Sequence, residues 1–306
     1  KRISLKYQVK TSEEVQDALD TGTAVVALES TIFSNLGLPS PSNEEALNRC
    51  IRAVRKEGAV PALTAVLDGD LCAGVNPDTH ERILESTTKV AARDLSTSVA
   101  KKLSVGATTV SASLVIASAI GIEVFATGGI GGVHRGADIT GDISADLLAI
   151  SNYPVLVVSA GAKSFLDLPK TLEYLETLSV PVLGWQTNFF PAFYLRSSGL
   201  SVSSRLDDVT EVAVVHRTRT NLGQGGTLLG VPIPADAEID PSLVAEALEA
   251  ALDDVEKLNL KGPEITPVVL ASIAKATGGQ SIPANLALAE NNATVAAQVA
   301  VALLSV

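Results

Sequence analysis

The stretch Val155-Leu156-Val157-Val158-Ser159-Ala160-Gly161-Ala162-Lys163-Ser164 decides how this chain is read. Its four leading apolar residues, three of them β-branched, read as a strand buried on both faces, as parallel strands beneath helices are. Small residues follow, then a lysine. A lysine just past a buried strand sits in a partly dry pocket, where desolvation lowers its pKa and leaves a neutral amine able to attack carbonyl carbon. The run alone reads by default as a solvated surface lysine, and the rest of the chain shifts that reading.

Strand and helix alternate on both sides of it. Ala24–Leu28 reads as a strand and Glu44–Glu57 as a helix capped by Ser42 or Asn43. Val60–Leu67 and Leu71–Val75 flank Asp68-Gly69, a hairpin signal. Asp94–Leu103 and Ser111–Ile120 read as helices, Ile122–Ala126 as a buried strand, and Ser144–Ser151 as a short helix. Then come the Leu168–Leu178 helix, the Val180–Gly184 strand, the Asp207–Arg217 helix and the Thr227–Val231 strand. Three helical blocks, Pro241–Leu258, Ile265–Thr277 and Pro283–Leu304, close the chain. The alternation predicts α/β layers on a mostly parallel sheet, with no clean domain boundary in 1–306 and no solenoid-type repeat. Ligands of such sheets gather at the carboxyl ends of the strands. Glu29-Ser30-Thr31, a glycine-rich loop after Ala126, Lys163 and Trp185–Asn188 all fall there.

The 306 residues carry a formal charge of −11, and only 4% are aromatic, so Ala, Val, Leu and Gly carry the packing. Nucleic-acid binding is not expected of so acidic a chain, although one local cluster of cations is enough for a phosphate. Cys50 and Cys72 fit no zinc or redox spacing and imply a reducing, cytoplasmic setting. No apolar run reaches the ~18 residues of a membrane span. Lys1–Lys10 lacks a secretory-signal core, and the missing initial Met implies that the sequence begins after its true start.

Several segments carry chemistry. Glu29, directly after an apolar strand, suits a half-buried general acid with a raised pKa, or a plain loop cap or lysine partner. Thr127-Gly128-Gly129-Ile130-Gly131-Gly132-Val133-His134-Arg135-Gly136 permits close backbone approach and an anion nest, with His134 and Arg135 beside it. A dinucleotide fingerprint fails because His134 stands where its third glycine belongs. Asp142 and Asp146, at i and i+4, would share a helical face and offer hard oxygen ligands to Mg2+ or Mn2+; Asp142 serves equally as a helix N-cap. Thr108 and Thr109, before Ser111 and Ser113, suit phosphate at a helix start or ordinary capping. Lys89 and Arg93-Asp94 read by default as surface charge, and Asn285 as a base reader or a helix-to-loop tie.

Taken in order, Val25-Val26-Ala27-Leu28-Glu29-Ser30-Thr31-Ile32, Gly106-Ala107-Thr108-Thr109-Val110-Ser111, Phe125 to Gly136, Asp142-Ile143-Ser144-Ala145-Asp146-Leu147, Ser159 to Ser164, and Asn285 with Asn291-Asn292-Ala293 closely resemble the pseudouridine-5′-phosphate glycosidase family, which includes the proteins first named indigoidine synthase A. The resemblance runs from about Ser12 to Val306. It implies a three-layer α/β/α fold, usually a homotrimer, and use of a divalent metal, typically Mn2+. The implied reaction is reversible: pseudouridine 5′-phosphate plus water becomes uracil and ribose 5-phosphate. By the same resemblance Lys163 is the nucleophile, Glu29 the proton donor and Asp142 the metal ligand. Lys89, Val110, Ser144, Ala145 and Asp146 are implied to contact substrate, while His134 and Asn285 line the pocket.

The chemistry agrees. A C-glycoside has no protonatable oxygen or nitrogen at the anomeric carbon, so the usual two-carboxylate route suits it badly. A lysine can instead attack the opened sugar while an acid protonates the departing uracil carbon. One departure stands out: where the family shows Ser-His-Gly-Met-Pro, this chain has Ser34-Asn35-Leu36-Gly37-Leu38-Pro39. Two other readings remain, a Schiff-base aldolase acting on a sugar phosphate and a non-catalytic accessory protein of a pigment pathway.

Overall fold

The computed structural model describes residues 8–260 and 264–306; most of the Lys1–Lys10 segment lies outside them. Its strands are β1 (Lys10–Thr11), β2 (Val25–Leu28), β3 (Val60–Leu67), β4 (Asp70–Ala73), β5 (Lys89–Val90), β6 (Val105–Thr108), β7 (Val124–Ala126), β8 (Leu156–Ser159), β9 (Val182–Trp185), β10 (Ser204–Leu206) and β11 (Thr227–Gly230). The helices are α1 (Glu13–Thr21), α2 (Ser42–Lys56), α3 (His80–Leu84), α4 (Leu95–Ala100), α5 (Val110–Ala119), α6 (Ala137–Thr140), α7 (Ala145–Asn152), α8 (Leu168–Thr177), α9 (Val209–Asn221), α10 (Pro241–Lys257), α11 (Ile265–Ala276) and α12 (Ser281–Ala302).

The spine is parallel throughout, in the order β3-β2-β7-β8-β11-β9-β10. Every residue of β2, β7, β8 and β11 is buried, which is why these strands read as unbroken apolar runs instead of alternating ones. Helices flank the sheet: α12 packs on β2, β7 and β8 beside α2 and α9, while α5 packs against α7. The predicted α/β/α architecture with a mostly parallel sheet is the one observed.

β3 serves two partners. Val60–Leu63 pairs with β2, and Thr64–Leu67 swings into antiparallel pairing with β4 and, through Ala65–Leu67, with β6. The Asp68-Gly69 hairpin is therefore real. Strand β6 was not foreseen, because Val105-Gly106-Ala107-Thr108 lacks a β-branched run. Neither predicted cap of α2 holds. The helix starts at Ser42 after Pro41, and Asn43 instead sends Nδ2 to the Phe33 carbonyl at 3.1 Å. No unbroken apolar run of that length is present in α12, which Asn285, Glu290, Asn291 and Asn292 interrupt, yet one helix among the described residues is long and apolar enough on average to cross a membrane. Ser281–Ser305 qualifies by length and composition, yet 61% of its apolar window is buried inside the protein, as befits the core helix α12.

Candidate active site

Several chain segments meet where the parallel strands end. Glu29 follows β2 and is only 6% exposed. Its Oε1 takes a very short hydrogen bond from the hydroxyl of Thr127, the residue after β7. Burial raises the Glu29 pKa; the charge of Lys163, the Thr127 hydroxyl and Lys89 draw it part of the way back, and Asp146 adds to the rise. These are the surroundings of a carboxyl group that keeps its proton at unusually high pH, as the sequence predicts for a general acid.

Lys163 lies four residues past the end of β8 and is half-buried, so the open-surface alternative does not hold. Its backbone is fixed by the glycine loop. Lys163 N–H donates to the Ile130 carbonyl at 3.1 Å, Ile130 N–H to Gly161 at 3.1 Å, and Ala160 N–H to Gly128 at 2.8 Å. The continuations of β7 and β8 thus stay zipped in parallel beyond the strands. Gly161 permits this, since its φ is +77° and a Cβ there would collide with the Pro191 carbonyl.

Lys89 opens β5 and is half-buried, not the surface charge of the default reading. Burial and the charge of Lys163 push its pKa down, against Asp146, Glu29 and Asp142. Glu29, Lys89 and Lys163 therefore share one electrostatic neighbourhood. Among the described residues, neither lysine has a carboxylate within ion-pair distance.

Asp142 and Asp146 do not share a helical face. Ser144 is the N-cap of α7, its Oγ accepting from Asp146 N–H at 3.2 Å, so the helix begins at Ala145 and Asp142 stays in the preceding loop. Asp142 is thus not the cap either. Asp146 turns inward: Oδ1 accepts Ser111 N–H at 3.0 Å and Oδ2 accepts Gly131 N–H at 2.8 Å. A buried carboxylate engaged twice by backbone amides is a tie, here between the glycine loop and the first turn of α5. Gly131 is needed for that approach, because a Cβ would sit 2.8 Å from Asp146 Oδ2.

Asp142 is half-buried, and its Oδ2 lies 3.8 Å from His134 Nδ1. The His134 ring leans on Phe165, with centroids 5.9 Å apart. Burial pushes the His134 pKa down, opposed by Asp142 and reinforced by Lys163 and Lys89. With both Asp146 oxygens engaged, Asp142 is the carboxylate of this pair left to hold a cation. Among the described residues no three His, Cys, Asp or Glu side chains are grouped to form a metal cage. The donor set fits a hard, largely hydrated divalent ion on one carboxylate, as such ions are often bound.

Val110 is buried at the start of α5, where its contribution to a ligand would come from the backbone of a helix N-terminus. Thr109 caps that helix through Ala112 N–H at 3.5 Å, the capping alternative. Thr108 belongs to a buried hydroxyl net that the sequence did not reveal. Its Oγ1 lies 2.8 Å from Thr64 Oγ1 and 3.1 Å from Ser30 Oγ, and Thr64 Oγ1 lies 2.8 Å from Ser113 Oγ. The net secures the loop carrying Glu29 to β3, β6 and α5. Ser30 and Thr108 are 78 positions apart, and no local pattern links them. On α12, Asn292 donates Nδ2 to the Thr127 carbonyl at 2.8 Å, clamping the partner of Glu29. Asn285 is buried beside Gly128, and its Oδ1 has no hydrogen-bond partner. Ser144 is half-buried and Ala145 exposed, at the mouth of this region.

The profile of the family described as Indigoidine synthase A like protein matches residues 14–302. A pseudouridine-5′-phosphate glycosidase of Myxococcus xanthus (strain DK1622) is 47% identical over 295 residues, covering 95% of this chain and 97% of the relative. One from Arabidopsis thaliana is 45% identical over 303 residues, covering 98% and 91%. Among solved structures, the prealnumycin C-glycosynthase AlnA in complex with ribulose 5-phosphate superimposes with a TM-score of 0.88 at 37% identity, covering 97% of each chain. An indigoidine synthase A-like protein of Thermotoga maritima gives 0.87 at 35%, also covering 97% of each.

Proposed function

This chain belongs to the indigoidine synthase A-like family, and from that premise we propose that it is a pseudouridine-5′-phosphate glycosidase, cleaving the C-glycosidic bond reversibly to uracil and ribose 5-phosphate. The observation that carries this reading is the pairing of a buried, proton-retaining Glu29 with half-buried Lys163 across the carboxyl ends of β2 and β8.

In this mechanism the Lys163 amine attacks C1′ of the ring-opened sugar and forms a covalent adduct. Glu29, whose pKa burial raises, delivers its proton to the uracil carbon as the C–C bond breaks. Water then releases the sugar from Lys163 as ribose 5-phosphate. Thr127 orients the acid, and Asn292 holds Thr127 in place. Lys89, the Val110 helix start and the Ser144–Asp146 turn form the surface toward which the sugar phosphate is directed. His134, kept neutral by burial, donates or accepts a hydrogen bond at its edge. Asn285 faces the base.

Asp142 would hold Mn2+ together with water, and the bound ion would supply positive charge beside an anionic substrate. The same reading places the protein in the cytoplasm as a homotrimer, a placement supported by the family resemblance.

Incubation with uracil, ribose 5-phosphate and Mn2+ tests the proposal. The expected product has the mass of both reactants less one water. No such product under conditions where the fold is intact would refute it, and sugar-phosphate cleavage that does not need uracil would favour an aldolase.

A further inference from the structure

A void of about 10 Å3 touches Glu29 itself. Glu29 and Thr127 border it, and Leu28, Phe33, Cys50 and Ala289 supply much of the remaining wall. A buried water needs ~10–15 Å3 and roughly two to four polar partners. The void lies at the lower edge of that size. Its polar neighbours other than the carboxyl group are engaged: the Thr127 hydroxyl donates to Glu29, and the Thr127 and Gly128 carbonyls accept Asn292 Nδ2 at 2.8 and 3.3 Å. On this side the Glu29 carboxyl group faces a dry, apolar wall.

Cys50 is the part of that wall contributed by α2. It is buried, it forms no disulfide, and the mechanism above leaves it unused. Burial and the nearby Glu290 carboxylate push its thiol up to about 12, against Arg49, so it stays a neutral, weakly polar group beside Glu29. Arg49 and Glu290 hold each other, with Arg49 Nε 2.6 Å from Glu290 Oε2. The charges acting on Glu29 come from elsewhere: Lys163 beyond β8, Lys89 of β5 and Asp146 of α7. What α2 and α12 contribute to Glu29 is the exclusion of water.

We propose that Cys50 is a positioning residue for the Glu29 proton, its sulfur closing the void at a size and polarity that keep water off the carboxyl group. The proposal rests on the C-glycosidase reading above, in which Glu29 is the acid. Removing that sulfur takes the void past the size of a water, which would reach both the Glu29 carboxyl group and the Thr127 hydroxyl. A hydrated carboxyl group gives up its proton at lower pH.

The test is the pH profile of kcat/KM for cleavage of pseudouridine 5′-phosphate by the full chain, which reports the free enzyme. In Cys50→Ala the alkaline limb should fall by about one pH unit or more, a tenfold change in the Glu29 proton equilibrium. Cys50→Val refills the space with apolar atoms, and its limb should stay at the wild-type position. A purely structural thiol would change Tm and leave the limb in place in Cys50→Ala; that result overturns the proposal, as does a Cys50→Val limb displaced as far as that of Cys50→Ala. Thermal unfolding supplies a readout independent of turnover. The alkaline Tm gain of Glu29→Gln should shrink in the Cys50→Ala background, and an undiminished gain overturns the proposal. Absence of cleavage by folded wild-type protein instead overturns the C-glycosidase reading, and the unfolding measurement then decides the dry wall on its own.

Discussion

The two ends of the parallel sheet treat charge in opposite ways. At the amino end, a cavity of about 180 Å3 is bordered by Glu123, Arg217 and Leu303. There Arg217 donates to Glu123 at 2.7 and 3.4 Å and to the Leu303 carbonyl at 3.3 Å, so cation and anion satisfy one another. At the carboxyl end, Lys89 and Lys163 have no ion-pair partner among the described residues, Glu29 is pushed toward its protonated form, and Asn285 Oδ1 is bare. The same strands and the same helix α12 serve both ends. Charge left uncompensated costs stability and persists where something outside the fold completes it. In the proposed function an anionic sugar phosphate beside the two lysines would do that.

The comparison breaks first at Lys163. Lys163→Ala should lower turnover on the order of 10^4-fold or more, as removal of a covalent nucleophile does, while leaving thermal stability near wild type. Near-normal turnover would move the nucleophile elsewhere. Glu29→Gln keeps shape but cannot supply the proton, and should lose on the order of 10²–10⁴-fold in cleavage. Its stability should change in the opposite sense. A folded-state pKa raised above the unfolded value gives stability at low pH that is lost as pH rises through the folded value. The Gln variant escapes that loss, so its Tm should exceed wild type at alkaline pH, and the gain should vanish toward acidic pH. A constant Tm difference across pH would show that Glu29 is not held protonated by burial.

Smaller effects sharpen the same contrast. Asp142→Ala should weaken Mn2+ binding, measured by titration calorimetry, and excess Mn2+ should restore cleavage only in part. Unchanged metal affinity would remove Asp142 from the site. Thr127→Val removes the hydroxyl that draws the Glu29 pKa down, so the alkaline limb of the cleavage profile should move to higher pH. A limb that stays in place would make Thr127 a packing residue only. At the other end of the sheet, Arg217→Gln should cost about 0.2–1 kcal/mol of stability, typical of a partly exposed ion pair, and leave kcat unchanged. Lost activity there would mean that the two ends are coupled.

The parallel spine was legible because β2, β7, β8 and β11 are short apolar runs bounded by glycine, serine or threonine, a local signal. The placement of Glu29 and Lys163 at the strand ends was legible for the same reason, each lying just beyond such a run. The Asp142–Asp146 pair misled, because i,i+4 spacing carries meaning only inside a helix, and Ser144 starts that helix too late to include Asp142. The Thr127–Glu29 bond, the Asn292 clamp and the Ser30–Thr64–Thr108–Ser113 net were not legible. Each joins residues from separate elements through tertiary packing, and a buried Ser or Thr looks the same in sequence as a capping one.

The most direct test of the account is borohydride trapping of the protein with ribose 5-phosphate, followed by peptide mass mapping. The account predicts that the sugar mass, reduced onto an amine, appears on the peptide containing Lys163, and that Glu29→Gln protein still traps it although it cannot join or release uracil. Sugar trapped equally at another lysine, or none trapped by an active protein, would contradict it.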